Sequence, residues 1–283
     1  MPPTLPPIPP TSPLATGTGL EFLRQRQAET TAYAASRGQE SYNMLFYSRF
    51  GTGKTHFAAT GKGPFYWYSF DPGGTKIPML EELAAKNMAI LDTRYETETW
   101  EAPFAFELFD KQHEAMKKAG AYNNIGTVVI DSLTHFHTAV MGQWLKSQGR
   151  AGKVPQIPDY MMLANTLQQV IKDFCNLPCD FILIGHVDST RDELSGRLES
   201  GLLCWGSSKN VLPTMFDEVL MPCAITGQGK TPAFKVQIYS DGKFNCSSRR
   251  FSGPKFEIFE EPDLKKLFAK ANRKNAMDLP PLA

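Results

Sequence analysis

Short apolar runs alternate with stretches of helical periodicity along most of this chain. The runs predict buried strands at residues 42–47, 64–70, 88–91, 127–130 and 181–184. The stretches between them predict helices at residues 55–60, 77–87, 106–119 and 160–175. β-Branched residues dominate the run at 127–130, as they do in strands that are buried on both faces. Strands that alternate with helices predict an α/β fold with a mostly parallel central sheet.

Both ends of the chain depart from this alternation. Seven of the first thirteen residues are proline, so residues 1–19 are expected to form an extended, disordered arm. A helix is expected within residues 20–38, and it is followed by a core at 39–261. A short helix and a tail are expected at 262–283. The later strands, which we expect to be antiparallel near one edge of the sheet, are 219–224, 234–239 and 244–246.

Composition narrows the class of protein. Hydrophobic residues make up 42% of the chain, enough for a sizeable core, and the formal net charge of +1 excludes a histone-like polycation. That balance leaves nucleic-acid binding open, because the distribution of charge decides it. No apolar run reaches the roughly 18 residues that span a bilayer, so no membrane partner is expected. The five cysteines are an odd number, which favours reduced thiols and a cytoplasmic location.

The strongest motif is Ser48-Arg-Phe-Gly51-Thr-Gly53-Lys54-Thr55, which follows an apolar strand and opens a helix. This is the context that a phosphate-binding loop requires. Glycines let backbone N–H groups turn toward phosphate oxygens, and the helix N-terminus adds partial positive charge. Lys54 would reach the β- and γ-phosphates of ATP, and Thr55 would bind Mg²⁺. The predicted nucleotide contacts are Ser48, Gly51, Thr52, Gly53, Lys54, Thr55 and His56.

Two carboxylates are the candidate partners of this loop. Asp131 ends the strand at 127–130 and is predicted to hold Mg²⁺, with Ser132 as a helper; the alternative is a helix N-cap. Asp71, in Phe-Asp-Pro-Gly-Gly, follows another strand and is predicted to orient the attacking water. A turn residue before Pro-Gly is the alternative for Asp71. Glu81 and Glu82, on the next helix, are weaker candidates for the same role.

Histidines stand near both of these strands. His186 follows the apolar run at 181–184, where a polar side chain can sense the γ-phosphate, and a structural role is the alternative. For His135 and His137, just beyond Asp131, a structural role in a helix or loop is favoured. The sequence Phe-His-Thr-Ala at 136–139 matches an F-x-x-A assembly motif, but its position favours ordinary helix packing.

With these motifs, the chain resembles the RecA-type ATPases over about residues 40–260. The resemblance is greatest to phage-encoded, RecA-like single-strand annealing proteins. It implies a RecA-like P-loop NTPase core, ATP and Mg²⁺ as cofactors, and assembly with itself into a ring or filament. The chain departs from the family pattern at Ser48, where glycine is usual, at Asp71, where glutamate is usual, and at His186, where RecA has glutamine. The motifs that carry the resemblance are Gly53-Lys54-Thr55, Asp71 with Gly73-Gly74, Val-Val-Ile-Asp131-Ser132 and Ile-Leu-Ile-Gly-His186.

The resemblance also implies a residue that acts on a neighbouring subunit. Asn245-Cys-Ser-Ser-Arg249-Arg250 lies where the family carries basic residues that reach the neighbour's nucleotide. An arginine supplied in this way can stabilise charge on the γ-phosphate. Adjacent strand residues point to opposite faces, so only one of the two can do so, and the family pattern favours Arg249.

Two DNA-facing loops are implied as well. The first is 146–153, with cations at Lys146, Arg150 and Lys153. The second is 187–210, where four acidic residues weaken a purely electrostatic interpretation. Cations would follow the phosphates and an aromatic ring would stack on a base; a solvated surface loop is the alternative for both. The contacts expected from the second loop are Arg191, Arg197, Trp205 and Lys209.

The sequence therefore favours an Mg²⁺-dependent ATP hydrolase that binds single-stranded DNA in recombination or strand annealing. A single-strand binding protein is a further candidate partner, and a phage origin would place the protein in the host cytoplasm. One alternative is a DNA-annealing module in which ATP is a structural ligand. Another is a RecA- or AAA-type motor for helicase loading or remodelling.

Overall fold

The structure is a computed structural model that describes residues 19–36, 41–191, 198–225, 231–273 and 277–282. The chain divides into two units, residues 1–39 and 40–283. The first unit contains helix α1 (Gly19–Ser36), in the region where a helix is expected. Residues 1–18 of the expected proline-rich arm lie outside the described residues.

The second unit alternates strands with helices. Its strands are β1 (Asn43–Ser48), β2 (Phe65–Ser69), β3 (Ala89–Asp92), β4 (Thr127–Asp131), β5 (Asp180–Arg191), β6 (Leu198–Leu202), β7 (Glu218–Ile225), β8 (Ala233–Gln237), β9 (Ser247–Ser248) and β10 (Phe259–Glu260). Its α-helices are α2 (Lys54–Ala58), α3 (Pro78–Ala85), α4 (Ala105–Lys118), α5 (Leu133–Ser147), α6 (Ile157–Phe174), α7 (Ser208–Val211) and α8 (Leu264–Lys270). Two 3₁₀ segments, Ala121–Asn124 and Leu212–Met215, complete the set.

The strands form one mixed sheet in the order β10-β8-β7-β1-β5-β4-β2-β3. From β7 to β3 all neighbours are parallel, while β8 and β10 pair antiparallel at the other edge. This confirms the predicted mostly parallel sheet with antiparallel strands at one edge. The strand predicted at 219–224 is antiparallel to β8 and β9, as expected, but it is also parallel to β1. Residues 218–220 of β7 pair in parallel with β1, and only 221–225 continue beyond it to pair with β8.

Helices cover both faces of the sheet because its buried strands are apolar on both. Along β2, Tyr66 and Tyr68 belong to the core layer that contains Phe109 of α4 and Phe174 of α6. The alternate residues of β2 belong to a second layer that includes side chains of α2 and α8. Helix α8, near the C-terminus, contributes Leu264, Leu267 and Phe268 to this second layer.

Three later segments differ from the sequence predictions. Within the stretch 187–210, expected to be a loop, residues 187–191 of β5 pair antiparallel with β6 (the β5–β6 hairpin), α7 begins at Ser208, and residues 192–197 lie outside the described residues. The strand predicted at 244–246 is wrong, because only Phe244 makes an isolated bridge and the strand pairing occurs at β9. Strand β10 was not predicted. These elements are short or polar, so they lack the apolar runs that mark a strand buried on both faces.

None of the helices in the described residues has the length and apolar character needed to cross a membrane.

A buried carboxylate at the start of β7 makes stability depend on pH. Glu218 is fully buried, accepts hydrogen bonds from the Ser248 hydroxyl and the Arg250 amide, and burial raises its pKa to about 7. Between about pH 4.5 and pH 7 the unfolded chain has therefore lost this proton while the folded chain retains it. The unfolded state then binds fewer protons, so the free energy of unfolding falls as the pH rises.

We expect Glu218→Gln, which stays neutral, to remove this fall. Relative to the unmodified protein, the variant should gain up to about 3 kcal/mol in the free energy of unfolding between pH 5 and pH 8. Urea unfolding at the two pH values measures it. Glu261→Gln, at an exposed glutamate, is the control and should show no such change. A Glu218→Gln gain that is the same at both pH values would contradict this assignment.

Candidate nucleotide site

The carboxyl ends of the parallel strands β1, β5, β4 and β2 lie next to one another, along the edge of the sheet where these strands end. Strand register pairs Ser48, the last residue of β1, with His186 of β5. It also pairs Asp131, the last residue of β4, with Ser69, the last residue of β2. Ligands of open α/β sheets bind at this edge, because the connections that follow the strands converge there.

The phosphate loop connects β1 to α2. Gly51 and Gly53 have φ angles of 72° and 84°, a left-handed conformation that glycine adopts without strain. Buried Lys54 donates from Nζ to the backbone oxygens of Ser48 at 3.2 Å and Arg49 at 2.8 Å. Burial lowers the pKa of Lys54, whereas the nearby carboxylates act to raise it. The Ser48 hydroxyl, which replaces the usual glycine, lies 2.5 Å from Thr52 Oγ1 and so stays within the loop.

Thr55 and Asp131 bring two hard oxygen atoms together. The Thr55 hydroxyl donates to Asp131 Oδ2 at 3.1 Å, across the gap between α2 and β4. Burial, and then the charge of Asp71, raise the pKa of Asp131 to about 7. Mg²⁺ prefers oxygen ligands of this kind, and a cation here would offset the cost of burying the carboxylate. The two residues therefore fit the magnesium site that the sequence predicts.

Asp71 is held in place from several directions. Its Oδ1 accepts hydrogen bonds from the Ser132 hydroxyl at 2.5 Å and the Ser132 amide at 3.2 Å, and it lies 2.5 Å from His135 Nδ1. Its Oδ2 lies 3.6 Å from His186 Nε2. Burial acts to raise the pKa of Asp71, but the interactions with His135, His186 and Ser132 outweigh it and hold the pKa well below its usual range. The hydrogen bond with Asp71 in turn raises the pKa of His135.

Two neighbours of Asp71 stand out only in the structure. The sequence favours a structural role for His135, yet the first turns of α5 bring its ring to the Asp71 carboxylate. Glu96 accepts hydrogen bonds from the Ser69 hydroxyl at 2.6 Å and the Gly73 amide at 3.0 Å, and so shapes the loop that carries Asp71. Glu96 belongs to no motif, and His135 was noted only for its position after Asp131, so no sequence signal linked either side chain to Asp71. His137, by contrast, is buried against Trp205, and burial lowers its pKa to about 4.

Arg249 lies away from the phosphate loop of its own chain. Its Nη1 is 3.0 Å from Asp217 Oδ1. Asp217 in turn accepts a hydrogen bond from the amide of Asn43, the first residue of β1. The phosphate loop follows the last residue of that strand, so Arg249 lies at the opposite end of the sheet. Arg249 is therefore not placed to contact a nucleotide in the phosphate loop of its own chain.

The residues predicted to contact DNA fall into different environments. In the first segment, Lys146 donates to the Pro103 carbonyl at 2.9 Å and Arg150 to Asp159 Oδ1 at 2.5 Å, whereas Lys153 is exposed. In the second, the Trp205 ring packs 4.4 Å from His137, and Lys209 is exposed on α7. Arg191 is at the end of β5, and only its backbone is described. Arg197 lies outside the described residues.

The fold is that of a RecA-like P-loop NTPase. Residues 40–231 match the model of the AAA domain family AAA_24, and the chain belongs to that family. It is similar to the flagellar accessory protein FlaH from Methanocaldococcus jannaschii, with 10% identity, a TM-score of 0.36, and coverage of 74% of this chain and 84% of FlaH. It is also similar to an ATPase from the type III secretion system of pathogenic bacteria, with 13% identity and a TM-score of 0.41. That match covers 64% of this chain and 50% of the ATPase. No curated protein matches the chain.

Proposed function

We propose that this protein is an Mg²⁺-dependent ATP hydrolase of the RecA type that assembles with itself and binds single-stranded DNA in recombination or strand annealing. The observation that supports it most is the convergence of Lys54, the Thr55–Asp131 pair and Asp71 at one edge of the sheet. Phosphoryl transfer needs a phosphate cradle, a metal site and a group that positions the nucleophile, and each has a candidate here.

Each side chain has one task in this proposal. The loop amides and the Lys54 ammonium hold the phosphates, and Lys54 exchanges its contacts with the Ser48 and Arg49 carbonyls for phosphate oxygens. Thr55 and Asp131 hold Mg²⁺, which neutralises charge that develops on the phosphates. Asp71, whose pKa is low, orients the attacking water by accepting a hydrogen bond rather than by removing a proton in the ground state.

The DNA-binding part of the proposal is supported by the position of the β5–β6 hairpin. The hairpin begins directly after His186, whose ring lies 3.6 Å from the Asp71 carboxylate. A shift of the hairpin on DNA would therefore move a group next to the proposed water-orienting residue. The nucleic-acid contacts proposed on and after this hairpin are Arg191, Arg197, Trp205 and Lys209, and those of the other segment are Lys146, Arg150 and Lys153.

The test measures ATP turnover by the full chain with and without single-stranded DNA, together with electron microscopy of the assemblies. The proposal expects DNA to increase turnover and ordered rings or filaments to form. Asp131→Asn should abolish turnover in both conditions, which excludes a contaminating ATPase. Equal turnover with and without DNA would contradict the DNA-dependent part, and absence of turnover would contradict the ATPase part.

The contacts around Asp71 favour a second candidate function. Because His135 and Ser132 already engage Asp71 Oδ1, hydrolysis would be slow, and ATP would act mainly as a structural ligand of a DNA-annealing protein. Strand annealing by Asp131→Asn separates the two functions. Annealing at the unmodified rate supports the second function, and loss of annealing together with turnover supports the first.

We expect Asp71→Asn to lower ATP turnover by about 10²- to 10⁴-fold while ATP affinity changes by only a few-fold. The amide keeps the shape of the side chain but removes the charge that orients water, and Asp71 makes no contact with the phosphate loop in this proposal. Turnover and equilibrium binding are measured in parallel. Glu257→Gln, at an exposed position between β9 and β10, is the control and should leave both quantities unchanged. Unchanged turnover in Asp71→Asn would refute the role of Asp71.

A further inference from the structure

An aromatic ring on β8, the second strand of the sheet order, lies against the phosphate loop. Ring atoms Cδ1 and Cε1 of Phe234, on β8, lie 3.4 Å and 3.7 Å from the position that a Cβ on Gly53 would occupy. Gly53 immediately precedes α2 and has no side chain, so nothing of that residue separates the ring from the loop backbone. The phosphate-loop motif itself does not require an aromatic ring at this position.

Phe234 stands at one end of a row of three apolar side chains. Phe234, Val236 and Ile238 alternate along the chain and share one face of the sheet. Val236 and Ile238 are fully buried in the core layer that contains Phe57 of α2, whereas Phe234 is 49% exposed. The row therefore ends beside Gly53, at the N-terminal end of α2, where Phe234 is about half exposed.

We propose that Phe234 is the platform on which the base of the bound nucleotide stacks. This proposal rests on the proposed function, since it assumes that the loop beside Phe234 holds nucleotide phosphates. Phosphates held by the loop and by the first turn of α2 leave the nucleoside next to these elements, and the uncovered ring lies there. A purine offers a large π-face, and stacking on an aromatic side chain is a common means of holding a base.

The chemistry of the platform predicts its selectivity. Stacking requires a π-face and no particular hydrogen-bond pattern, so Phe234 contributes to the binding of a nucleoside triphosphate and not to that of its phosphates. Inorganic tripolyphosphate carries the same phosphate chain without a base. The pair of ligands therefore separates the contribution of Phe234 from that of the loop.

The experiment measures equilibrium binding of Mg²⁺–ATP and Mg²⁺–tripolyphosphate to the full chain by calorimetry. We expect Phe234→Ala to weaken ATP binding about tenfold and tripolyphosphate binding less than twofold. Phe234→Tyr keeps an aromatic face and should restore ATP affinity. Phe259→Ala is the matched control, because Phe259 is 37% exposed and pairs with Gln237, on the opposite face of β8 from Phe234. It should leave both affinities unchanged.

Three results would overturn the platform. The first is unchanged ATP affinity in Phe234→Ala, and the second is an equal loss for both ligands, which would mean that the variant deforms the loop. The third is a selective loss of ATP affinity in Phe50→Ala but not in Phe234→Ala, since Phe50 is the other exposed phenylalanine of this region. If the unmodified protein binds neither ligand, the proposed function fails and the platform with it. ATP binding without DNA-stimulated turnover would refute only the DNA-dependent function and leave the platform supported.

Discussion

Replacement of Lys54 by alanine should lower ATP turnover by at least about 100-fold, the loss typical when a preorganised donor to a developing charge is removed. Lys54 is buried beside Asp131 and Asp71, and its ammonium bonds only to backbone oxygens of its own loop among the hydrogen bonds of the described residues. A cation held in this way is available to phosphate oxygens at little cost in reorganisation. Steady-state turnover and ATP binding measure the effect.

The control for Lys54→Ala is Lys86→Ala, which removes a lysine at the exposed end of α3 that pairs with Glu82. It should leave turnover within about twofold, since surface ion pairs contribute little. Thermal unfolding of both variants shows whether each one is folded. Turnover within twofold of the unmodified protein in folded Lys54→Ala would mean that the loop does not hold the reacting phosphates.

The second large effect is on stability, and it concerns Arg273. This residue follows α8 and forms two hydrogen bonds of 2.7 Å with Asp180 at the start of β5, and both side chains are about 1% exposed. Its guanidinium also lies over the rings of Tyr42 and Phe268. We expect Arg273→Ala to lower the free energy of unfolding by about 3–5 kcal/mol, because it leaves the Asp180 charge buried without its partner.

A matched control exists at Arg249, which pairs with Asp217 but is 63% exposed. Arg249→Ala should change the free energy of unfolding by at most about 1 kcal/mol. Urea unfolding of the two variants measures the difference. Equal effects would show that burial does not decide the strength of these pairs. Asp180→Asn combined with Arg273→Ala should recover part of the loss, because the combination removes the uncompensated charge.

The sequence predicted the phosphate loop and the strand that ends at Asp131 because each is a contiguous signal. An apolar run followed by glycines, a lysine and a threonine specifies local backbone geometry that does not depend on distant residues. The buried parallel strands also give a contiguous signal, because their apolar runs are longer than those of surface elements. The hairpin of β5 and β6 did not stand out because residues 187–191 and 198–202 are mostly polar or small and contain no run of apolar residues.

The side chains that surround Asp71 could not be predicted from contiguous sequence signals. His135 is 64 residues from Asp71 along the chain, and Glu96 reaches the Asp71 loop from the segment after β3. The strand order β5-β4-β2-β3 brings these side chains together. Phe234 likewise lies near Gly53 because β8 pairs with the last residues of β7, and β7 lies beside β1, which leads into the phosphate loop.

The sequence by itself determined the class of fold, the phosphate loop at residues 48–55 and the two strand-end carboxylates, because these depend on local periodicity and on short motifs. The tertiary structure decided which groups surround them. It joined Thr55 to Asp131, set His135 and His186 beside Asp71, laid Phe234 against Gly53, and placed Arg249 at the far end of the sheet. These pairings depend on strand order and register, which are set by burial of the whole sheet between its helices and which no single segment encodes.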